Sequence, residues 1–343
     1  MSVIIGVDPH KASHTAVAVS DDELELARKK VRSGCAQAEQ LLEWAAPYTE
    51  RIWAIESAAG LGYLLAQQLV AAGEEVLDVP PTLASRVRVL GSGRSNKNDP
   101  NDATSVAVAA LRSSGLRRVQ PVGHSEVLRL LTKRNIDIGS QRTRVVCRLH
   151  ALLAELAGGG LAKEMYAADV ERFLADHKPE TVVEQIRFEL VAELLSDVCR
   201  LDDQLKVSHK RIREAVRASG TSLTEIFGVG PIIAGQLIGF TGDVTRFANR
   251  DHYAAYTGTA PVEFSSAGRV IHRVSQRGNR TLNHALHMAA VSQLRQPHSE
   301  GRAYFERKIA EGKTKRETLR ALKRQVSNAA YRHLLVDAQR VGS

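Results

Sequence analysis

The chain has 343 residues, of which 43% are hydrophobic, and a formal net charge of +9, which is enough for two or three domains with a substantial core. Its three cysteines, Cys35, Cys147 and Cys199, form no CxxC pair, which predicts a reducing cytoplasm and argues against a cysteine zinc site. MSVIIGV is too short for a signal peptide, and no apolar run approaches the roughly 18 residues that a membrane helix needs.

The positive charge is concentrated at the C-terminal end. Residues 265–343 contain sixteen Lys or Arg and five Asp or Glu, whereas the rest of the chain contains 31 Lys or Arg and 33 Asp or Glu. A basic segment on a slightly acidic body is typical of a protein that binds a polyanion with one part only. A solvated basic surface is the alternative, and nucleic acid is the partner that the charge favours.

Residues 1–122 are predicted to form an α/β domain. The apolar run and the alternation in VIIGVDPHKASHTAVAVSD indicate an antiparallel hairpin of two strands, and ELARKKVRSG can supply a third. Helical spacing in CAQAEQLLEWAAPY and AGLGYLLAQQLVAAG then alternates with the short apolar strands RIWAIES and EEVLDVPP. Strands that alternate with helices after an opening hairpin give this class of domain.

Residues 123–218 are predicted to form a long α-helical hairpin. One helix covers 124–157 and a second covers 180–218, with the loop LAGGGLAKE at 156–164 between them. In the second helix the apolar positions repeat at three, four or seven residues, a rhythm that argues for a coiled coil; they are Leu190, Leu194, Val198, Leu201, Leu205, Ile212 and Val216. A spacer or dimer arm is the expected role.

Residues 219–343 are predicted to form a third, mainly α-helical domain. It begins with the small apolar stretch IFGVGPIIAGQLIGFTGD and ends in a basic helical tail from about residue 303. Glycine and serine cluster at 258–268, which predicts a loop there.

Four acids occupy positions that suggest a metal site. Asp8 and Glu56 end apolar strands, and Asp99 and Asp102 stand three residues apart at the start of a predicted helix, and so on one face. Grouped carboxylates repel one another unless a cation neutralises them, and oxygen-only ligands suit Mg²⁺ or Mn²⁺. Taken singly, each acid can instead be a turn, cap or surface residue.

Two segments of the third domain have features that suit phosphate. Gly228 and Gly230, in a stretch that looks like a helix-hairpin-helix element, would aim backbone N–H groups at a phosphate, or else form a simple tight turn. Ser265 and Ser266 precede four arginines whose planar guanidinium groups suit phosphate oxygens; they are Arg269, Arg273, Arg277 and Arg280. The alternative is an exposed basic loop with ordinary serines.

The motifs IIGVDPHK, WAIESAAG and KNDPNDA resemble those of the DEDD transposases of bacterial insertion sequences. The resemblance covers nearly the whole chain. It implies an N-terminal RuvC/RNase H-like domain whose four metal-binding acids fall on Asp8, Glu56, Asp99 and Asp102. It also implies a C-terminal domain in which a serine ahead of an Arg-Gly-Asn motif attacks DNA.

The Arg-Gly-Asn motif is present at Arg277–Asn279, and Asn279 is predicted to bind nucleic acid together with the neighbouring arginines. The family places glycine directly after the serine, whereas Ala267 stands between Ser266 and Gly268 here. The nucleophile is therefore aligned to Ser266, with Ser265 as the alternative.

The resemblance further implies partners and a mechanism. A bacterial, nucleoid-associated recombinase would act on element ends and target DNA, guided by a non-coding bridge RNA. Dimers, paired as tetramers on DNA, would bring the acids of one domain to the serine of another. Two alternatives remain open at this point: a RuvC-like metal-dependent nuclease of Holliday junctions or other DNA without serine chemistry, and a nucleic-acid-binding protein with a decayed catalytic domain.

Overall fold

The computed structural model describes residues 3–92, 99–158, 166–266, 269–274 and 278–342. The chain divides into two compact units, residues 1–122 and 123–343. The predicted domain boundaries at residues 122 and 218 stay predictions.

One mixed sheet organises the described part of the first unit. Its strands, in spatial order, are β3 (Glu25–Arg32), β2 (Ser13–Val19), β1 (Val3–Pro9), β4 (Arg51–Glu56), β5 (Val76–Val79) and β6 (Arg117–Arg118). The opening hairpin is antiparallel, whereas β4 is parallel to both β1 and β5. The predicted hairpin, the third strand and the two later strands are thus confirmed.

Helices cover both faces of this sheet, because alternate residues of the central strands are apolar on both sides. On one face Ile5, Val7 and Trp53 pack with α1 (Gln37–Ala45) and α2 (Tyr63–Ala71). On the other face Ile4 and Ala54 pack with α3 (Pro81–Ser92) and α4 (Asp99–Leu111). Both strand ends that carry candidate acids therefore belong to central, buried strands.

Two long helices run antiparallel in the second unit. They are α5 (His124–Leu156) and α7 (Val182–Ala218), close to the predicted limits. Asn135 Nδ2 donates to Ser208 Oγ at 3.1 Å, Arg142 pairs with Asp202, and Arg187 Nε lies 2.8 Å from Glu155 Oε2. Residue numbers fall along α7 as they rise along α5, which confirms the antiparallel hairpin.

The apolar face of α7 differs from the predicted one at its N-terminal end. There Val191 and Leu195 are buried, whereas Leu190 is 41% exposed. The reason is α6 (Ala167–Asp176), which was not predicted from sequence and packs Val170 and Phe173 against that side of α7. A continuous coiled-coil seam along α7 stays a prediction.

The remaining elements form a mainly helical assembly around one core. They are α8 (Pro231–Thr241), α9 (Arg250–Tyr256), β7 (Pro261–Ser266), β8 (Arg269–Val274), α10 (Arg280–Arg295), α11 (Glu300–Ala310) and α12 (Lys315–Gly342). Leu128 of α5 and Ile212 of α7 join Leu237, Leu286 and Val326 in this core. No helix in the described part of the chain is long and apolar enough to span a membrane.

The loop prediction for 258–268 is wrong for most of that segment. Residues 261–266 form strand β7, which pairs with β8 in an antiparallel ribbon from Pro261–Val274 to Ser266–Arg269. Apolar and polar residues alternate over residues 262–265 of β7, a short pattern that the Gly and Ser residues at the ribbon tip obscured, whereas β8 shows no such alternation.

Candidate functional site

Asp8 stands at the end of the central strand β1. The residue is 5% exposed, and its strand register pairs it with Thr15 of β2. His10 Nδ1 lies 3.5 Å from Asp8 Oδ2, and the His10 side chain is half exposed. A carboxylate buried this deeply in a sheet needs a hydrogen-bond donor or a cation beside it. Because Asp8 stands near the end of its strand, it adjoins the loops at that edge of the sheet.

Glu56 ends the neighbouring parallel strand at the same level. Val7 pairs with Ile55, so that Asp8 and Glu56 follow directly after one matched pair. Because β1 and β4 are parallel, both acids lie at the same edge of the sheet, on the face that also carries Gly6 and Ala54. The structure thus brings these two predicted residues to neighbouring positions.

The turn after Glu56 is fixed by backbone hydrogen bonds and by one acid that the sequence analysis missed. Ser57 has a φ of +51°, and its N–H donates to Val79 O at 3.1 Å. The buried Ala58 N–H donates to Asp78 Oδ1 at 2.9 Å. Asp78 stands beside Ile55 on β5, so it anchors the turn that carries the Glu56 backbone.

Helix α4 carries the other two predicted acids. Asp99 is its first residue and Asp102 its fourth, as the sequence predicts. A Cβ on Gly6 would overlap the carbonyl oxygen of Ala103 and would lie 2.6 Å from Ala107 N. The helix therefore packs directly on β1 beside Asp102, and Gly6 is two residues, about 7 Å, from Asp8.

The described acids do not complete a metal site by themselves. Among the described residues, no group of three or more His, Cys, Asp or Glu side chains is arranged to hold a metal ion. The Asp99 side chain lies outside the described part of the chain. The donor chemistry fits a hard divalent cation, since every predicted ligand is a carboxylate.

The predicted nucleophile lies at the tip of the β7–β8 ribbon. Ser266 is the last residue of β7 and pairs with Arg269, the first residue of β8, while Ser265 pairs with Val270. Arg273 pairs with Val262 nearer the ribbon base. The side chains of these serines and arginines, and Arg277 as a whole, lie outside the described residues.

The glycine and asparagine of the Arg-Gly-Asn motif have clear structural contacts. A Cβ on Gly278 would lie 2.5 Å from Gly258 N. Asn279 caps α10, because its side-chain oxygen accepts the Leu282 N–H at 3.1 Å, and its own N–H donates to Tyr256 O at 2.7 Å. The motif joins the ribbon to α10, and Arg280 is exposed at the start of that helix.

The predicted phosphate-binding turn precedes α8. Gly228 has a φ of +83°, and a Cβ there would lie 2.6 Å from Ala289 O. Gly230 is the residue that caps α8, followed by Pro231 at the first helical position. Gln293 Nε2 of α10 donates to Phe227 O at 2.8 Å, which holds the turn against the core. The turn itself is confirmed, whereas the helix-hairpin-helix assignment stays a prediction.

A basic cluster beside the ribbon base was not predicted. Lys323 Nζ of α12 donates to Asn283 Oδ1 at 2.8 Å, and Asn283 Nδ2 donates to Gly258 O at 2.8 Å. Burial and then the nearby Arg320 lower the pKa of Lys323. Burial and then Lys323 and His284 lower the pKa of His287. A signal for this cluster was present in the sequence: His284 and His287 stand three residues apart, and so on one face of α10, shortly after the Arg-Gly-Asn motif.

Comparison with known proteins gives two family matches. A family model of DEDD transposases of the IS110 type matches residues 5–157, and the model of the transposase IS116/IS110/IS902 family matches residues 220–306. The first match contains all four predicted acids, and the second contains the glycine turn, the ribbon and the Arg-Gly-Asn motif.

Relatives align over almost the whole chain. The insertion element IS116 uncharacterized 44.8 kDa protein of Streptomyces clavuligerus is 27% identical, with 94% of this chain and 92% of the relative covered. The IS900 uncharacterized 42 kDa protein of Mycobacterium paratuberculosis is 28% identical, with 95% and 94% covered. The transposase for IS1111A of Coxiella burnetii is 30% identical, with 64% and 61% covered.

One solved structure similar to part of the chain is Thermus thermophilus RuvC in complex with Holliday junction substrate. The alignment covers 35% of this chain and 100% of the RuvC chain, at 15% identity and a TM-score of 0.28. The two family matches and the near full-length relatives together show that the chain belongs to the IS110 family of DEDD transposases.

Proposed function

We propose that this transposase cleaves and exchanges DNA strands with a divalent metal ion, Mg²⁺ or Mn²⁺, held by Asp8, Glu56, Asp99 and Asp102. The observation that carries the proposal is the matched register of Asp8 and Glu56 at the ends of adjacent parallel strands, with α4 packed on the same face beside Asp102. When bound, such an ion supplies Lewis-acid stabilisation of charge at a phosphodiester.

The proposed nucleophile is Ser266, with Ser265 as the alternative. Its Oγ forms a bond to phosphorus, the bond from phosphorus to one deoxyribose oxygen breaks, and the hydroxyl proton leaves to that oxygen through solvent. The DNA end stays on the serine as a phosphodiester, which the hydroxyl of another strand can attack to rejoin it. Positive charge from Arg269, Arg273, Arg277 and Arg280 would offset the negative charge that develops at phosphorus.

The ribbon supports delivery of this serine to acids on another protomer. Six residues of β7 span roughly 17 Å at 3.3 Å per residue, so the serine at the tip lies about that far along the ribbon from its base. An apolar stripe at the start of α7 is a fitting dimer contact, since Val182 is 81% and Val183 60% exposed. Dimers that pair as tetramers on DNA would then complete the composite site.

The covalent step has a direct test. The purified protein is incubated with Mg²⁺, co-purified RNA and a labelled element–host junction, then resolved on a denaturing gel. We expect a labelled protein adduct that Ser266→Ala abolishes and Ser265→Ala retains. Cleavage without any adduct would instead support the RuvC-like nuclease that uses metal-activated water alone.

The metal site has a matched test in the same assay. We expect Asp8→Asn, Glu56→Gln and Asp102→Asn each to abolish cleavage, and Glu43→Gln, an exposed acid of α1, to leave cleavage unchanged. Calorimetric titration of Mn²⁺ into the protein–DNA complex should show heat for the wild type and none for Asp8→Asn. Full cleavage by the acid variants would reject the site.

The proposed guide is a non-coding RNA that pairs with element and target DNA, so that base pairing reads sequence while the protein reads backbone and shape. The basic C-terminal segment supports nucleic-acid binding in general. Sequencing of RNA that co-purifies with the protein tests guidance. We expect the RNA to contain segments complementary to the element–host junctions. Recovery of only a random sample of cellular RNA would reject guidance by RNA.

A further inference from the structure

A groove lined by both apolar and charged side chains runs along one face of α12 in the second unit. Three cavities of about 1000, 440 and 290 Å³ share the lining residue Arg332. Gln325 lines two of them, and Arg340 lines the smallest. Because residues 325, 332, 336 and 340 are spaced by four or seven positions, they lie on one face of the helix. We call this surface the α12 groove.

The groove carries an excess of basic groups. Arg250, Arg307, Arg332 and Arg340 line it, together with His298 and His333, against the carboxylates of Glu225 and Glu300. In the described part of the chain, Arg250 and Arg332 pair with no carboxylate, and both are exposed. Guanidinium groups in this state are suited to bind phosphate oxygens with two hydrogen bonds at once.

Aromatic rings stand in the same groove. Phe227 is 52% exposed and lines the largest cavity with Tyr304. The Arg307 guanidinium lies 5.4 Å from the centroid of the Tyr304 ring. An exposed phenylalanine costs solvation free energy unless it meets an apolar partner, and the flat face of a nucleobase is such a partner.

The walls of the groove are held in place. Asp337 Oδ1 accepts the Ser222 hydroxyl at 2.8 Å, and His333 Nδ1 lies 2.8 Å from the same Ser222 Oγ. The Gln293 side chain holds the Phe227 carbonyl, as described above. At the far end Asn328 lines the 440 Å³ cavity, and its Oδ1 has no hydrogen-bond partner among the described residues. A groove with fixed walls loses little entropy when a ligand binds.

From this combination we infer that the α12 groove binds an unpaired segment of a nucleic-acid strand, with Phe227 stacked on a base and Arg332 on a backbone phosphate. The groove would hold the strand without reading its sequence, since stacking and phosphate contacts are common to every nucleotide. The inference rests on the proposed function in one respect, because it takes nucleic acid as the partner.

The test is oligonucleotide binding by the full-length protein. Fluorescence anisotropy is measured with a single-stranded DNA, an RNA of the same sequence and the corresponding duplex, over a range of salt concentrations. We expect Phe227→Ala to weaken single-strand binding by about 5- to 150-fold, the loss of one stacked base. We expect Arg332→Gln to reduce the slope of log affinity against log salt by about 0.7, the loss of one phosphate contact on a single strand.

Two matched variants serve as controls. Val207→Ala removes an apolar side chain of α7 that is 60% exposed, and Arg213→Gln removes an exposed arginine of the same helix. Both lie outside the α12 groove, and both are expected to bind as the wild type does. Circular dichroism is used to check that each variant is folded. Because Arg332 is exposed, Arg332→Gln should fold, and it still tests the inference if Phe227→Ala unfolds.

The outcomes separate the two proposals. A larger loss on RNA than on DNA would assign the groove to an RNA strand, and the reverse would assign it to DNA; either result supports the inference. Wild-type affinity in both groove variants would overturn the inference while leaving the proposed function intact. Failure of the wild type to bind any of the three oligonucleotides would contradict the proposed function itself.

Discussion

Gly6 of β1 lies directly against Ala103 of α4, so close that a Cβ on the glycine would overlap the Ala103 carbonyl oxygen. The contact joins the strand that ends in Asp8 to the helix that carries Asp102. A glycine inside a buried strand weakens the strand itself, and here it lets a helix backbone approach the sheet. The spacing between these two acids therefore depends on a residue that carries no side chain.

Replacing Gly6 by alanine tests this dependence. We expect Gly6→Ala to lower the free energy of unfolding by about 1–3 kcal/mol, because the new methyl group meets helix backbone that has no room to move away. Displacement of α4 should also reduce metal-dependent DNA cleavage. Gly34→Ala is the matched control, since a Cβ at Gly34 meets nothing within 4 Å. Urea unfolding that gives equal stability for both variants would contradict the prediction.

Asp78 is expected to position Glu56 without touching the DNA. Asp78→Ala leaves the buried Ala58 N–H without its partner, which costs about 1–3 kcal/mol of stability. The turn after Glu56 should then loosen, and DNA cleavage should fall. Asp78→Asn keeps an acceptor oxygen at the same place and should restore most of the stability and of the cleavage rate.

The control for Asp78 is Asp22→Ala, which removes an exposed acid from the same unit and should leave both measurements unchanged. Cleavage that stays lost in Asp78→Asn while stability recovers would indicate that the negative charge at Asp78 acts directly in the site, which contradicts a positioning role.

Much of the first unit could be predicted because its signals are local. Apolar runs that end in Asp8 and Glu56 mark two buried strands, and an acid at the end of such a strand has few structural explanations. The approach of α4 to β1 was not predicted, although Gly6 within an apolar strand was the available signal.

The second unit shows why the remainder was missed. The Gly and Ser residues around the tip of the β7–β8 ribbon predict a loop, and the short alternation in β7 alone is too weak a signal to predict a strand. The α12 groove depends on contacts between residues more than a hundred positions apart, such as Ser222 with Asp337. Such packing has no periodic signature in the sequence, so only the folded structure could reveal it.

Asn279 is expected to stabilise the protein by capping the N-terminus of α10. Asn279→Ala removes the cap of that helix and should cost about 1 kcal/mol of stability. Asn279→Ser keeps a capping oxygen, and so it should retain wild-type stability. If the motif only joins the ribbon to α10, then Asn279→Ser should also form the covalent DNA adduct. A stable Asn279→Ser variant without any adduct would show that the amide contacts nucleic acid.

The lowered pKa of His287 predicts that the stability of the second unit depends on pH. Burial, Lys323 and His284 lower its pKa below 6.5 in the folded protein. In acid the unfolded chain therefore binds a proton at this residue before the folded protein does. Stability is then unaffected above the unfolded pKa of about 6.5 and falls as the pH drops below it. The loss should continue until the folded imidazole is also protonated.

We expect His287→Gln to reduce the difference in urea midpoint between pH 7.5 and pH 5.5, because the substituted side chain does not titrate. His209→Gln, an exposed histidine of α7, is the control and should keep the wild-type difference. Lys323→Met adds an independent check, since removal of that neighbouring charge should raise the His287 pKa in an NMR titration. An unchanged His287 pKa in Lys323→Met would show that burial and His284 lower it without Lys323, and a wild-type pH dependence in His287→Gln would contradict the prediction.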